Sequence, residues 1–560
     1  MTELHRSRPL VWFLLLAFCA VWFYTLGSRT LVPTDEGRYA EMAREMVTTN
    51  DWITPRLNGI KYFEKPPLQT WMNALTFKLF GLGEWQARLW TGLNGLLGIG
   101  LVALAGRRLY GGAVGFAAAV VLASSFWWAA LGHINTLDMG LAGMMTIALC
   151  GLLIAQRNDA TPAERRNWML ACWAGMALAV LSKGLIGVVL PGAVLVTYTV
   201  LARDWAIWRR LHLLPGLLLF LAITVPWFIL VSLRNPEFAW FFFVHEHLQR
   251  FTSKVHHRAG PVYYFVPLLL VGILPWLGAL AQSLWQARRD SPAGFQPRIL
   301  LATWAIVIFV FFSVSGSKLP SYILPIFPAL ALLIACHLQQ AGRRSITISA
   351  VLMALFSVAA LIMLPRMAAM ASNPFEQPLY RGYGWWIGAS AAVFLAGSLA
   401  ALWQARRSVQ AGMLLLGITG FMGGQMLLLG HDPMGRYAAG VAHLPALQAE
   451  LTPQTPLYIV GRYEQVLPFY LRRTMIMVQH ADELEFGLKQ QPELWIPTRE
   501  EFMRKWISDH ASGVKAVAIL SRDAYSQFVA AGLPMRVIGE DPRRVIVTNM
   551  LTAPAPRKAS

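Results

Sequence analysis

Thirteen apolar stretches, each close to the ~20 residues that cross a bilayer, succeed one another over the first 430 residues. They lie near 10–28, 88–106, 112–131, 136–155, 167–182, 184–202, 211–233, 261–283, 299–315, 320–338, 346–364, 384–404 and 410–429. Only 14% of residues are charged and 56% are hydrophobic, against about 25% charged in soluble domains. A disordered chain is excluded, and a water-soluble enzyme does not fit. The net charge of +19, from 48 basic and 29 acidic residues, is therefore read across a membrane rather than as a nucleic-acid surface. Arginines recur on every second connection: Arg6/Arg8, Arg107/Arg108, Arg157/Arg165/Arg166, Arg203/Arg209/Arg210, Arg288/Arg289/Arg298, Arg343/Arg344 and Arg406/Arg407. The positive-inside rule puts these connections in the cytoplasm, and an odd number of spans puts the C-terminal region outside. The first stretch lacks a clean small-x-small cleavage site and is read as a retained signal-anchor.

The outward connections include two long ones, 29–87 and 234–260, rich in ionisable groups. Long charged loops on a rigid scaffold carry chemistry more often than connection. Residues 431–560 have soluble-like charge density, with β-rich runs at 456–460, 475–478, 514–520, 535–538 and 544–548 between amphipathic stretches. The expected architecture is a polytopic α-helical membrane domain, 1–430, followed by a small soluble α/β domain, 431–560. Cys19, Cys150, Cys172 and Cys336 all sit in apolar runs, which suggests buried small hydrophobes, not a disulfide or metal framework.

The first outer loop opens Val32-Pro33-Thr34-Asp35-Glu36-Gly37-Arg38-Tyr39. Pro33 discourages helix before it, and Thr34 or Asp35 can cap the helix after it. Asp35 is either a capping carboxylate or, held by backbone N–H groups beside Arg38, an ionised group that orients an acceptor or takes its proton. The same loop contains Tyr62-Phe63-Glu64-Lys65-Pro66-Pro67-Leu68. Pro66 makes Lys65 extended, and a helix of ~20 residues is expected to follow, to Gly81. Glu64 and Lys65 read either as a surface pair or as a carboxylate for a metal or sugar beside a cation for a lipid phosphate. His245, Glu246, His247, His256 and His257 cluster in the second long loop. Two rings at His-x-His spacing diverge on a helix and could converge on one ion only in an extended segment.

The Asp35-Glu36-x-x-Tyr39 opening, the Tyr62–Leu68 run and the multi-span frame together resemble GT-C membrane glycosyltransferases that use polyprenyl-phosphate sugars. The undecaprenyl phosphate aminoarabinose transferases, which act on lipid A, match best; protein O-mannosyltransferases share the acidic opening and layout. The resemblance implies thirteen spans, a periplasmic C-terminal domain and a position in the bacterial inner membrane. It implies catalytic roles for Asp35 and for Asp138, whose other reading is a helix-start residue. It places Lys65 on the carrier phosphate, with Arg250 as a second cation and Tyr322 as a hydroxyl donor. Arg38, Tyr62, Glu64 and Lys183 are the substrate-binding set, Lys183 being otherwise a snorkelling lysine. Glu64 and His245 are the candidate pair for a divalent ion, zinc or magnesium, although no essential cofactor is assigned. The expected partners are the undecaprenyl-phosphate-linked sugar, lipid A and membrane lipids, with no nucleic acid, and the expected state is a monomer. Transfer of another sugar to a protein or glycan is the alternative within the class. A lipid or sugar flippase is the rival outside it, but transporters concentrate their ionisable groups at the bilayer midplane.

Overall fold

The computed structural model describes residues 8–249, 260–289 and 294–552. The helical frame begins with α1 (Arg8–Leu26), then α2 (Asp35–Thr49), α3 (Leu68–Phe80), α4 (Glu84–Tyr110), α5 (Gly112–Ser124), α6 (Phe126–Leu131), α7 (Leu137–Ala155) and α8 (Pro162–Lys183). Helices over Ile186–Ala202, Leu213–Arg234, Pro297–Val314, Phe327–Met363, Gln377–Ala405 and Val409–Gly430 complete it. Local signals set several starts. Thr161 and Glu164 form a reciprocal capping box with Pro162 in the first turn of α8. The α4 helix opens on Glu84 and closes on Arg107 and Arg108, with the polarity its dipole favours.

Among the described residues, nine helices are long and apolar enough to cross a membrane, and a tenth crossing is a pair, Val262–Gly272 and Leu274–Gln286, bent by 79°. Two further apolar helices, α5 and Ile186–Ala202, fall short of the length. Length and composition therefore give fewer crossings than the thirteen expected. The third stretch breaks at Ser125, and α8 carries Glu164, Arg165 and Arg166 in its first turn. Packing is graded from inside out. In α7 94% of the apolar window is enclosed by protein, whereas α1 has 17% and Leu213–Arg234 has 22% enclosed. The outer surfaces of the latter two, with Trp12, Phe13, Leu214 and Leu233, are what lipid would cover.

The connections separate by chemistry. Arg108 and Arg157 both reach Glu164, at 2.8 and 3.5 Å, so two arginine-rich connections share one end of the bundle. At the other end Trp227 Nε1 donates to the Ile53 carbonyl (3.1 Å), and Asn235 Nδ2 donates to Thr54 Oγ1 (3.0 Å). The two long outer loops are thereby tied together.

In the first of these loops, β1 (Arg56–Leu57) and β2 (Ile60–Lys61) form a hairpin. Its turn is Asn58-Gly59, both at positive φ (59° and 77°), the pair a tight two-residue turn requires. The α3 helix has 13 residues, shorter than expected, because Pro66 and Pro67 both stay outside it. The C-terminal region holds one six-stranded sheet in the order β5-β4-β3-β6-β8-β7. Its strands are β3 (Leu457–Val460), β4 (Ile476–Val478), β5 (Trp495–Ile496), β6 (Val517–Leu520), β7 (Arg536–Asp541) and β8 (Arg544–Thr548). Strands β5, β4, β3 and β6 run parallel, and β8 is antiparallel to both neighbours. The two-residue β5 was absent from the sequence reading.

Alternation in the buried strands feeds two cores. Tyr458, Val460, Ala518 and Leu520 pack on Phe502, Trp506 and Phe528 of the covering helices. Leu457, Ile459, Val517 and Ile519 face the other way and pack with Tyr39, Met42, Leu57, Ile60 and Tyr62 of the first outer loop. Asn58 and Met475 exchange two hydrogen bonds, at 2.8 and 2.7 Å, across this contact. At Gly37 a Cβ would collide with the Gln465 carbonyl, so only glycine fits the approach of the two segments. The sheet is thus seated on α2 and the hairpin.

Candidate active site

The α2 helix starts at Asp35, directly after Pro33-Thr34, and carries Asp35 and Glu36 in its first turn, where the helix dipole favours carboxylates. Thr34 occupies the cap position but makes no capping hydrogen bond. Asp35 is held by Arg38 (3.0 Å), not by backbone N–H groups as the sequence suggested, and its side chain is 41% exposed. Arg38 continues to Glu483 of the C-terminal region at 2.6 Å. Gln465 Nε2 and the Tyr62 hydroxyl both donate to Glu483, the latter at 3.4 Å. Burial, then the charge of Glu64, pushes the Tyr62 phenol well above its usual value, so it serves as a hydrogen-bond donor and not as a base. Burial also raises the Glu483 carboxyl, with Glu64 adding to the rise and Arg38 opposing it.

The neighbouring Glu36 has the backbone N–H bonding expected of Asp35. It is 1% exposed and binds Arg88 through both oxygens, at 2.6 and 2.8 Å. It also accepts the backbone N–H of Val32 (2.9 Å) and of Asn135 (2.8 Å). Burial pushes its pKa up, but Arg88 more than offsets this and holds it below the usual carboxylate range. The remaining donors of Arg88 go to the Leu26, Arg29 and Thr30 carbonyls. Every face of this pair is satisfied, and nothing is left to meet a substrate.

A second cluster stands at the start of α7. Thr136 caps the helix, and its hydroxyl accepts from Asp138 N at 3.1 Å. Lys183, the last residue of α8, donates to Asp138 Oδ1. Ser321 Oγ donates to Oδ2 at 2.9 Å. The Lys183 ammonium lies 4.5 Å from the Tyr322 ring centroid, a cation–π contact. The charge of Asp35 bears on Lys183, so the two clusters are electrostatically linked. Lys183 is therefore neither a snorkelling lysine nor an isolated cation: Asp138 takes one of its three donors.

Lys65 Nζ lies 3.8 Å from Glu64 Oε2 and donates to the Glu64 carbonyl at 2.9 Å. The charge of Glu64 bears on Tyr39, Tyr62 and Glu483, which joins this pair to the Asp35–Arg38 set. His245 stacks on Phe241 (4.9 Å between centroids), Phe241 on Phe486 (4.0 Å), and Phe486 meets Phe63 (6.3 Å), the residue before Glu64. Three segments distant in sequence thus converge beside Lys65. Arg250, with Lys254, His256, His257 and Arg258, lies outside the described residues. Glu64 and His245 would offer a divalent ion one oxygen and one nitrogen. Among the described residues no group of three or more His, Cys, Asp and Glu side chains is arranged to hold a metal. A zinc centre needs at least three protein ligands, so that set does not build one by itself.

Sequence reasoning missed Glu36, Arg88, Gln465, Ser321 and Glu483. Ser321 sat beside a chosen residue, Tyr322, and Glu36 beside Asp35. Glu483 lies in a region with no local motif, and only the seating of the sheet on α2 reveals it.

Two family models match the chain: dolichyl-phosphate-mannose-protein mannosyltransferase over residues 64–230 and the aminoarabinose transferase C-terminal domain over 443–549. An undecaprenyl phosphate-alpha-4-amino-4-deoxy-L-arabinose arabinosyl transferase of Proteus mirabilis is 32% identical over 400 residues, 69% of each chain. The crystal structure of ArnT from Cupriavidus metallidurans bound to undecaprenyl phosphate is 43% identical and superposes with a TM-score of 0.93, over 98% of this chain and 100% of that one. The chain belongs to the undecaprenyl phosphate aminoarabinose arabinosyl transferase family. It is a multi-pass membrane glycosyltransferase of the GT-C type, with a sheet-bearing C-terminal domain. The apo form of the same Cupriavidus protein superposes with a TM-score of 0.91 at the same identity. Both family models cover parts of the site: the first begins at Glu64 and includes Asp138 and Lys183, and the second contains Glu483.

Proposed function

We propose that this chain transfers 4-amino-4-deoxy-L-arabinose from undecaprenyl phosphate to a phosphate of lipid A, as a monomer, on the periplasmic face of the bacterial inner membrane. The observation that carries the reading is the exposed Asp35 carboxylate, braced by Arg38 and electrostatically linked to the Asp138–Lys183 pair. The relatives' names supply the sugar and the carrier.

An oxygen of the acceptor phosphate attacks the anomeric carbon of the sugar. The bond from that carbon to the carrier phosphate oxygen breaks, and its electrons leave with undecaprenyl phosphate. The anomeric centre inverts. A phosphate monoester is already largely ionised near neutral pH, so Asp35 orients the acceptor more than it deprotonates it. The Asp138–Lys183 pair sets a cation where the acceptor phosphate arrives. Lys65, with Arg250 and the Tyr322 hydroxyl, stabilises the charge that grows on the leaving phosphate. The Tyr62 hydroxyl and Arg38 shape the sugar pocket. No essential metal is assigned. The added amine lowers the negative charge of the outer surface, which weakens the binding of cationic peptides such as polymyxin.

Mass spectrometry of lipid A tests this in a strain that lacks its own transferase and still makes the carrier-linked sugar. The unaltered chain adds one aminoarabinose mass and Asp35→Asn does not, at matched membrane levels. No increment with the unaltered chain, in cells shown to contain the donor, sinks the lipid A assignment and turns the search to protein or glycan acceptors.

A further inference from the structure

A cavity of about 880 Å³ opens between the C-terminal half of α2, the hairpin turn and the C-terminal domain. It takes no part in the transfer described above. Its lining includes Glu45 and Thr48, at the other end of α2 from Asp35. Ten residues of helix separate Asp35 from Glu45, about 15 Å. Four guanidinium groups line it: Arg44, Arg56, Arg472 and Arg473.

Three of the four are anchored. Arg44 pairs with Glu41 through two bonds, at 2.7 and 2.6 Å. Arg56 donates to the Gly59 carbonyl at 3.1 Å. Arg473 donates to the Thr452 and Thr455 carbonyls, at 3.0 and 2.6 Å. Arg472 is exposed, and its side chain makes no hydrogen bond or ion pair among the described residues. It also ends the short helix Leu467–Leu471 with φ at 55°, in the left-handed region. Glycine or asparagine is the usual occupant of such a position.

Among the described residues of the lining, Glu45 is the only carboxylate. Burial, then the charge of Glu41, pushes it up to about 8, so at neutral pH it does not cancel the arginines. The rest of the lining is largely hydroxyl and amide, from Thr48, Thr49, Gln448, Thr452 and Thr474. Guanidinium groups match phosphate oxygens in pairs, and hydroxyl and amide side chains match sugar hydroxyls. A bare phosphate would fill little of a cavity this size, which lies within the range of organic-ligand sites.

We propose that this cavity binds a phosphorylated saccharide, with Arg472 as the exposed cation that meets its phosphate and Arg56 as the anchored one. The binding needs no transfer reaction. If the proposed acceptor is correct, a phosphorylated sugar carried on the same lipid is within reach, because both sites lie along α2.

Calorimetry on the full-length chain in detergent tests this with three probes: a glucosamine disaccharide bisphosphate, the same disaccharide without phosphate, and inorganic phosphate. The bisphosphate is expected to bind, with an affinity that falls as salt rises. The other two probes are expected to bind at least about 10-fold more weakly. Arg472→Glu is expected to weaken bisphosphate binding about 10-fold or more, as the loss of one charge-assisted contact does, and Arg472→Lys to keep most of it. Arg56→Gln gives an independent reading if Arg472→Glu disturbs the fold, which its melting temperature reports. Lys183→Met separates the two sites: it removes the cation of the acceptor site, so bisphosphate binding that persists in it and is lost on adding Arg472→Glu belongs to this cavity. Transfer to a lipid A lacking further phosphorylated sugars should be unchanged by Arg472→Glu. Unaltered bisphosphate binding in both Arg472→Glu and Arg56→Gln overturns the site. Inorganic phosphate binding as tightly as the bisphosphate overturns the saccharide assignment.

Discussion

Asp35 and Glu36 are adjacent carboxylates in the first turn of one helix, and they do opposite work. Glu36 is enclosed, bidentate to Arg88, and takes two backbone N–H groups besides. Asp35 has one partner among the described residues, Arg38, and keeps much of its side chain in the open. A carboxylate whose bonding is complete fixes the fold. One whose bonding is incomplete, beside a cation and another charged pair, has capacity left for a substrate. The contrast extends to the two arginines. Arg88 is fully buried and closes the loop after α1 onto α4. Arg38 joins the loop to the C-terminal domain through Glu483.

The largest effect is expected on the closed side. Arg88→Met leaves Glu36 ionised and unpaired in the interior, a loss of about 3–5 kcal/mol. The melting temperature in detergent should collapse, and Glu36→Leu in the same chain should recover part of it. Full recovery of stability by Glu36→Leu together with Arg88→Met, with transfer intact, would sharpen the comparison further, because the pair would then be shown to have no chemical duty. On the open side Asp35→Asn should cut turnover about 100-fold and leave the melting temperature where it was. A smaller effect is expected at Glu483, which acts through Arg38. Glu483→Gln should lower kcat about 10-fold through misplacement of Arg38, with KM little changed; a shift in KM alone would make it a binding residue.

The last test falls on Glu45, further along α2, and reads a slope against pH rather than a loss of activity. Its folded pKa, about 8, lies above the ordinary carboxylate value of 4.5. The folded state therefore holds a proton that the unfolded chain releases, so this contribution is complete below pH 4.5 and is lost as pH rises to 8. Glu45→Gln should flatten the fall in melting temperature over that window. An unchanged slope would mean that Glu45 is ionised in the folded protein.

The legible parts of this molecule are those with local signals. Apolar stretches and arginine-rich connections announce a membrane frame from length and charge alone, and Asp35, Lys65 and Asp138 stand in short runs that a family resemblance can recognise. A break at Ser125 and a charged start to α8 are why the thirteen apolar stretches outnumber the helices that are long and apolar enough by themselves to cross a membrane among the described residues. The roles of individual carboxylates were hidden by distance along the chain. Glu36 finds Arg88 52 residues away, Asp138 finds Ser321 183 residues away, and Tyr62 finds Glu483 421 residues away. No periodicity or spacing encodes such pairs. Lys183 could be placed at an outer helix end, but its partner Asp138, 45 residues earlier, decides that it is a paired cation.

The most direct measurement compares Asp35→Asn with Glu36→Gln on the same preparations, reading transfer from undecaprenyl-phosphate-linked aminoarabinose to lipid A in vesicles alongside the melting temperature. The account predicts that Asp35→Asn melts like the unaltered chain and transfers about 100-fold more slowly, while Glu36→Gln melts well below it. Normal transfer by a well-folded Asp35→Asn, or a Glu36→Gln that keeps its stability and loses only turnover, would contradict it.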